Sequence, residues 1–140
     1  KDVWGEKLIL KGILDPEDAE KAITYGADAL VVSNHGGRQL DGACSSISML
    51  SEIVRVAGNN TSVWVDGGIR SGQDILKAIA LGAEGTLIGR AYLYGLGALG
   101  EAGVTKCLQL IQKELEISMA LCGYTDINKV TDNIILSKNF

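Results

Sequence analysis

One segment of the 140-residue chain combines a base with an anion receptor. Residues 33–42 hold the only histidine, His35, which two glycines and then Arg38 follow. Imidazole titrates near neutral pH and can take up a proton. A guanidinium group binds a carboxylate or phosphate through two parallel hydrogen bonds. This spacing therefore predicts proton transfer on an anionic ligand.

Two further segments pair glycines with an arginine. One contains Asp66, Gly67, Gly68, Ile69 and Arg70, and the other contains Gly89 and Arg90. Glycine lets backbone N–H groups approach a ligand closely, and such groups bind phosphate together with helix N-termini. Arginine adds charge-assisted hydrogen bonds. A single Asp-Gly-Gly turn is more often an ordinary tight turn, but two such turns, each with an arginine, favour a phosphate site.

Lys11 interrupts the apolar segment 8–13. A buried ammonium group is costly unless it is paired, and an inward-facing Lys11 that meets an anionic ligand would avoid this cost. The alternative is a side chain whose stem lies on apolar surface while its charge stays in water. Both interpretations remain open from the residues alone.

The elements that would position these residues form a parallel α/β pattern. Four short runs rich in Val, Ile and Leu predict strands at residues 8–13, 29–33, 62–66 and 86–89. Continuous apolar runs of this length are typical of strands covered on both faces. Helical segments lie between them: Pro16 follows the capping residue Asp15, and Ser71 with Asp74 forms a capping box. A final amphipathic helix is predicted over residues 104–122.

An internal repeat indicates how these units are arranged. The segment KAITYGAD at residues 21–28 matches KAIALGAE at 77–84, an offset of 56 residues, and each copy runs into a predicted strand. Gly26 and Gly82 are predicted to end the preceding helices. The offset is close to two βα units, which is typical of a (β/α)₈ (TIM) barrel.

The length accounts for only part of such a barrel. A closed barrel takes about 250 residues, so the predicted fold is four βα units, or half a TIM barrel. Open sheet edges and an uncovered inner face need a cover. We therefore expect either a missing N-terminal half or a second copy in a homo-oligomer. Since the chain begins with Lys1, we expect residues 1–140 to be the C-terminal half-barrel of a longer chain.

Composition excludes several classes of function. The net charge is −4 without a basic block, which argues against nucleic-acid binding. No apolar run approaches the roughly 18 residues of a membrane span. One histidine and three separated cysteines predict no metal site. We expect a cytoplasmic protein with a small-molecule partner, although peripheral association with the inner membrane through a missing insertion stays open.

Four motifs together resemble the C-terminal half of the FMN-dependent 2-hydroxy-acid oxidases and dehydrogenases, which include glycolate oxidase, L-lactate dehydrogenase and mandelate dehydrogenase. The motifs are KGIL at 11–14, SNHGGRQLD at 33–41, DGGIR at 66–70 and IGRA at 88–91. The His-Gly-Gly-Arg block is highly specific, whereas DGGIR alone also resembles IMP dehydrogenase and other phosphate-binding barrels. The resemblance implies FMN as cofactor and oxidation of an L-2-hydroxy acid to a 2-oxo acid.

The resemblance also implies a role for each site residue. His35 is expected to act as the base, Arg38 to bind the substrate carboxylate, and Lys11 to stabilise negative charge near the flavin pyrimidine edge. Ser33 is expected to touch the flavin ring, and Asp66 to bind ribityl hydroxyls. The phosphate is expected to lie among Gly67, Gly68, Ile69, Arg70, Gly89 and Arg90.

In this family the N-terminal half supplies active-site tyrosines, flavin contacts and a carboxylate that orients the catalytic histidine. We therefore expect the isolated chain to be weak or inactive. One alternative is a non-catalytic half-barrel that self-associates and binds only a phosphate or FMN. Another alternative is a phosphate-binding barrel that acts on a nucleotide. That function would not explain why His35 and Arg38 occur together.

Overall fold

A computed structural model describes residues 2–136, and in them four parallel strands alternate with four α-helices. The elements are β1 (Ile9–Ile13), α1 (Pro16–Thr24), β2 (Ala29–Ser33), α2 (Ser46–Ala57), β3 (Ser62–Asp66), α3 (Gly72–Ala80), β4 (Gly85–Leu87) and α4 (Arg90–Leu121). The sheet order is β1-β2-β3-β4. Short 3₁₀ helices occupy His35–Gly37, Ile127–Lys129 and Asp132–Ile134. The expectation of four βα units, half of a TIM barrel, is confirmed.

The hydrophobic core lies between the sheet and the helices on one of its faces. Its fully buried members include Leu30 and Val32 of β2, Val65 of β3, and Leu50 and Ile53 of α2. Side chains alternate along a strand, so the residues between these positions point to the opposite face. That opposite face carries Lys11 in the middle of β1 and Ser33 and Asp66 at the carboxyl ends of β2 and β3.

The helix ends follow the predicted caps. The Asp15 carboxylate accepts the Glu17 N–H at 2.7 Å at the start of α1. Ser71 and Asp74 form the reciprocal capping box of α3. These bonds satisfy amide groups that have no partner within the helix, so both helices begin where the sequence predicts.

The internal repeat is also present in the hydrogen bonds. Gly26 and Gly82 both have positive φ, 86° and 98°, and the N–H of each donates at 2.9 Å to the carbonyl three residues earlier. Two residues later, the Asp28 N–H donates at 2.8 Å to the carbonyl of Leu8, just before β1, and the Glu84 N–H donates at 2.8 Å to Val63 of β3. The two helix-to-strand turns are therefore equivalent.

The last helix differs from the prediction. The element α4 begins at Arg90, and its backbone leaves helical geometry at Leu99 and Gly100, which divides it into two helical arms. The second arm contains the helix predicted over residues 104–122, whereas the first arm was not predicted. The two arms meet at glycines, since a Cβ on Gly95 would lie 2.5 Å from the Gly103 carbonyl oxygen. Residues 95–103 are glycine-rich and lack a helical pattern, so the sequence gives little signal for the first arm.

Smaller differences concern the remaining elements. Strand β4 covers Gly85–Leu87 instead of 86–89, because the chain turns at Gly89 to begin α4. Strand β1 begins at Ile9, one residue later than predicted, which is within the usual uncertainty of strand ends. The start of α2 was not delimited from sequence, and there the Ser45 hydroxyl caps the Ser48 N–H.

Between residues 2 and 136, no helix combines the length and apolar character needed to cross a bilayer. Over the same part of the chain, no three His, Cys, Asp or Glu side chains are grouped as ligands for a metal ion.

Candidate functional site

A cavity of about 530 Å³ opens at the carboxyl ends of the strands. It is lined by ten of the eleven predicted site residues: Lys11, His35, Arg38, Asp66, Gly67, Gly68, Ile69, Arg70, Gly89 and Arg90. Its volume lies within the range of small-molecule sites. The four motifs identified in the sequence therefore all contribute residues to one cavity, at the end of the sheet where TIM-barrel active sites lie.

The charge of the cavity is opposite to that of the whole chain. Four cationic side chains line it, and Asp66 is the one carboxylate among the lining residues. The chain as a whole has a net charge of −4. Concentrated positive charge in a concave site favours an anionic ligand, so a phosphorylated cofactor and a carboxylate substrate both fit.

Ser33 is the predicted residue that does not line the cavity. It is fully buried, and its hydroxyl accepts hydrogen bonds from Lys11 Nζ at 3.0 Å and from the His35 N–H at 3.1 Å. It donates to Asp66 Oδ2 at 2.9 Å. A hydroxyl has one donor and two acceptor positions, so all three are used within the protein. Ser33, at the end of β2, is therefore hydrogen-bonded to a residue of β1 and to a residue of β3.

Asp66 and Lys11 form an ion pair beside Ser33. Lys11 Nζ lies 2.5 Å from Asp66 Oδ2, with the two side chains 41% and 20% exposed. Burial raises the pKa of Asp66, but hydrogen bonds from Lys11 and Ser33 and the charges of Lys11 and His35 outweigh it, so the pKa lies below its usual 3.8. Asp66 is therefore an anion at neutral pH and fixes the Lys11 ammonium group at the cavity wall.

His35 stands in a strained turn. Among residues 2–136 it is the only non-glycine residue with positive φ, at 57°, and Gly36 and Gly37 continue the left-handed turn. Besides the bond from His35 to Ser33, the Asn34 side chain accepts the Gly36 N–H at 3.0 Å. Such a conformation costs about 1–3 kcal/mol and persists where the surroundings enforce it. The strain is typical of a functional site.

Arg38 and Arg90 approach the same glycine. A Cβ on Gly36 would lie 3.8 Å from Arg38 Cδ and 3.9 Å from Arg90 Nη2. Both arginines are exposed and line the cavity together with His35. The side chains of Arg38 and Arg90 therefore converge beside the turn that holds His35, and guanidinium groups in such a place can bind anionic groups.

The amide groups at the start of α3 are already bonded. The N–H groups of Arg70 and Ser71 both donate to Asp74 Oδ2 at 3.0 Å. The Gly72 N–H donates at 3.0 Å to the Glu114 carboxylate of α4. In contrast, α4 begins after Gly89, with no capping side chain. Of these two helix starts, α4 has the amide groups available for a phosphate.

Three contributing residues were missed by the sequence analysis. Gly12 lies against the His35 ring, Ser46 accepts the Asn34 N–H at 3.1 Å, and Glu114 caps α3. A glycine inside a strand is a known signal for a bulge or a close approach, so Gly12 was detectable in principle. Ser46 and Glu114 act across long sequence separations and leave no local pattern.

Comparison with known proteins shows similarity across nearly the whole chain. An L-lactate dehydrogenase of Caulobacter vibrioides is 51% identical over 138 residues, which cover 99% of this chain and 36% of that protein. An L-lactate dehydrogenase of Pectobacterium atrosepticum is 47% identical over 136 residues, 97% of this chain and 35% of that protein. The chain thus spans about a third of the length of these relatives.

Solved structures agree with the fold. A soluble mutant of the membrane-associated (S)-mandelate dehydrogenase of Pseudomonas putida is 46% identical, with a TM-score of 0.89 over 94% of this chain and 37% of the other. A mandelate oxidase with (S)-2-phenylpropionate is 48% identical, with a TM-score of 0.87 over 90% and 38%. The sequence profile of the FMN-dependent dehydrogenases matches residues 1–137. The chain therefore belongs to the FMN-dependent dehydrogenase family.

Proposed function

We propose that the protein containing this chain oxidises an L-2-hydroxy acid of the lactate, glycolate or mandelate type to the 2-oxo acid, with FMN as cofactor. We further propose that residues 1–140 form the C-terminal half-barrel of its catalytic domain. The observation that supports this most strongly is the convergence of His35, Arg38 and three further cationic side chains on one cavity.

In this proposal His35 and Arg38 act on the substrate. The Arg38 guanidinium binds the substrate carboxylate through two parallel hydrogen bonds, which fixes the acid beside the imidazole. His35 accepts a proton from the substrate as general base. Within residues 2–136 the imidazole has no hydrogen-bonded carboxylate partner, so its orienting acid is assigned to the N-terminal half of the barrel.

The remaining residues hold the cofactor. Bound FMN would supply the two-electron acceptor. Lys11, fixed by Asp66 and Ser33, presents a positive charge that stabilises negative charge on the flavin ring. Asp66 has a second carboxylate oxygen for the ribityl hydroxyls, since its hydrogen bonds to Lys11 and Ser33 both use Oδ2. Ser33 contributes by holding these two side chains in place.

The phosphate is assigned to the start of α4. The amide groups following Gly89 have no side-chain cap, whereas those of Arg70, Ser71 and Gly72 are bonded to carboxylates. An anion at a helix N-terminus is stabilised by the free N–H groups and the helix dipole. Arg70 and Arg90 line the cavity there and add charge-assisted bonds, and the Gly67 to Ile69 backbone completes the wall.

The same proposal covers what packs against the open edges of the sheet and where in the cell the protein lies. Strands β1 and β4 lie at the two edges of the sheet, which a missing N-terminal half, or a second copy of the chain in a homo-oligomer, would cover. We assign the protein to the cytoplasm, and membrane fractionation tests the alternative of peripheral attachment to the inner membrane. The open edges also support a second candidate, a non-catalytic half-barrel that self-associates and binds only a phosphate or FMN.

The proposal is tested by the visible spectrum of the whole protein, expressed from its natural gene and purified. Flavin absorption that bleaches anaerobically with lactate, glycolate or mandelate supports the oxidation. Flavin absorption without bleaching by any of the three, together with a dimer in light scattering, supports the non-catalytic half-barrel. Absence of flavin combined with tight nucleotide binding supports the nucleotide-barrel alternative.

A further inference from the structure

We infer that Gly12 is a positioning residue for His35: the absence of a side chain at the β1 bulge leaves the space in which the imidazole lies. The inference rests on the proposed function for the role of His35 in the reaction. Gly12 is not among the predicted site residues, and it lies in β1, whereas His35 follows β2.

The first observation is the irregularity of β1. Lys11 pairs with Val31 and Ile13 pairs with Val32, so Gly12 is an extra residue opposite the β2 ladder. A bulge shifts the side-chain alternation by one position. As a result, Lys11 points to the cavity face while Ile13 packs against the core on the other face. Without the extra residue, Lys11 and Ile13 would face the same side of the sheet.

The second observation is the contact between Gly12 and the imidazole. A Cβ built on Gly12 would lie 2.5 Å from Cε1 of His35, 3.2 Å from Nε2 and 3.5 Å from Nδ1. A real Cβ does not approach another heavy atom to 2.5 Å, so alanine at this position would displace the ring. Gly12 also has a φ of +105°, a conformation that side chains disfavour.

The third observation is that little else holds the ring. His35 is exposed, and in the described part of the chain its side chain makes no hydrogen bond. Its backbone is fixed by Ser33 and the following turn, which leaves the side-chain torsions to be set by packing. Gly12 lies against one side of the ring. A displacement of about 1 Å in a reacting group can reduce a rate by about 10²-fold.

A double-mutant cycle on stability tests the contact without relying on catalysis. Gly12→Ala and His35→Ala are made singly and together, and thermal midpoints are measured. Gly12→Ala should lower Tm more when His35 is present than in the His35→Ala background, because only the first case contains the collision. The difference should be modest, since the exposed ring can turn away from the new Cβ. Gly123→Ala is the matched control: its φ is +79° and no atom lies within 4 Å of its Cβ position, so its effect should be equal in both backgrounds.

A Gly12→Ala protein that folds only together with His35→Ala supports the inference. Equal losses of Tm in the two backgrounds, or failure of both to fold, overturn it, because the glycine would then be required by its backbone conformation alone.

A kinetic measurement tests the consequence for the reaction. In the flavin-loaded protein, Gly12→Ala should lower kcat by about 10- to 100-fold while KM stays within about threefold and the flavin spectrum is unchanged. A wild-type kcat in Gly12→Ala, with the rate lost in His35→Gln, overturns the positioning role alone. A wild-type rate in His35→Gln overturns the proposed base itself, and the stability cycle still decides whether the two residues are in contact.

Discussion

The ammonium group of Lys11 and the carboxylate of Asp66 meet 2.5 Å apart across β2, although 55 residues separate them in sequence. The buried hydroxyl of Ser33 bonds to both, so one residue on each of three adjacent strands contributes to a single network. Charged side chains held in this way lose little further entropy when a ligand binds. The cavity wall is therefore already organised for an anion.

The pH dependence of stability should report the Asp66 environment. Its pKa is lower in the folded state than the usual 3.8, so its ionised form contributes stability that is present above about pH 4 and lost as pH falls through the lowered folded pKa. The Asp66→Asn variant lacks this contribution. The stability difference from wild type should be larger at pH 7 than at pH 3, as measured by urea denaturation.

Asp18→Asn serves as the control for the pH experiment. The Asp18 carboxylate is exposed and lies 3.5 Å from Lys21 one helical turn away, and such exposed pairs contribute little. A stability difference for Asp66→Asn that stays constant from pH 7 to pH 3 would contradict a lowered pKa.

His35→Gln should abolish most of the substrate-dependent reduction of the flavin. Glutamine cannot take up the proton, and general bases contribute about 10² to 10⁴-fold in rate. Rapid-mixing absorbance at the flavin band measures the reduction rate, and an unchanged spectrum before mixing shows that FMN is still bound. Reduction at more than a tenth of the wild-type rate would exclude His35 as the base.

Arg38→Lys should weaken substrate binding more than turnover. A lysine ammonium is a point charge that cannot form the two parallel bonds of a guanidinium group. Loss of one charge-assisted bond, about 1.5–3 kcal/mol, corresponds to a KM about 10- to 100-fold higher. Arg55→Lys is the control, because Arg55 is exposed on α2 and bonds to Glu52 instead of lining the cavity. Equal KM values in both variants would argue against the carboxylate site.

Ser33→Ala should destabilise the fold by about 1–3 kcal/mol, because it removes the partner of the His35 N–H and of Lys11. Denaturant titration measures the loss. Ser118→Ala should be nearly neutral, since the Ser118 hydroxyl bonds only locally to the Glu114 carbonyl within α4. If the two serines give equal losses, the Ser33 network contributes no more than a surface hydroxyl does.

Two helical glycines should respond in opposite directions to alanine. A Cβ on Gly72 would lie 2.6 Å from the Ile111 carbonyl oxygen, so Gly72→Ala should separate α3 from α4 and cost about 1–3 kcal/mol or more. Gly97 has open space, and Gly97→Ala should add about 0.5–1 kcal/mol through helix propensity. Thermal midpoints measure both, and a neutral Gly72→Ala would show that the helices can move apart freely.

The features that were predictable from the sequence are local ones. Strands β2 and β3 have the predicted bounds because each is a continuous apolar run, and Asp15 and Ser71 cap their helices by short-range bonds. The convergence of the polar segments also followed, since the carboxyl ends of parallel strands share one edge of the sheet.

The features that escaped prediction depend on contacts between distant backbones. The kinked α4 is held where Gly95 meets Gly103, and Gly72 packs on the α4 backbone. A glycine pattern by itself indicates a loop or a turn as readily as a close approach. The position of Gly12 beside His35 likewise depends on which strands are adjacent in the sheet. A short stretch of sequence does not contain that information.

The equivalent turns at Gly26 and Gly82 have an evolutionary consequence. Both turns pass the chain from helix to strand with the same bonds at nearly the same lengths, so a crossover between the two genetic segments would join compatible ends. Such recombination would add or remove 56 residues without breaking a connection. The helix-to-strand junctions themselves are therefore compatible with the gain or loss of two βα units.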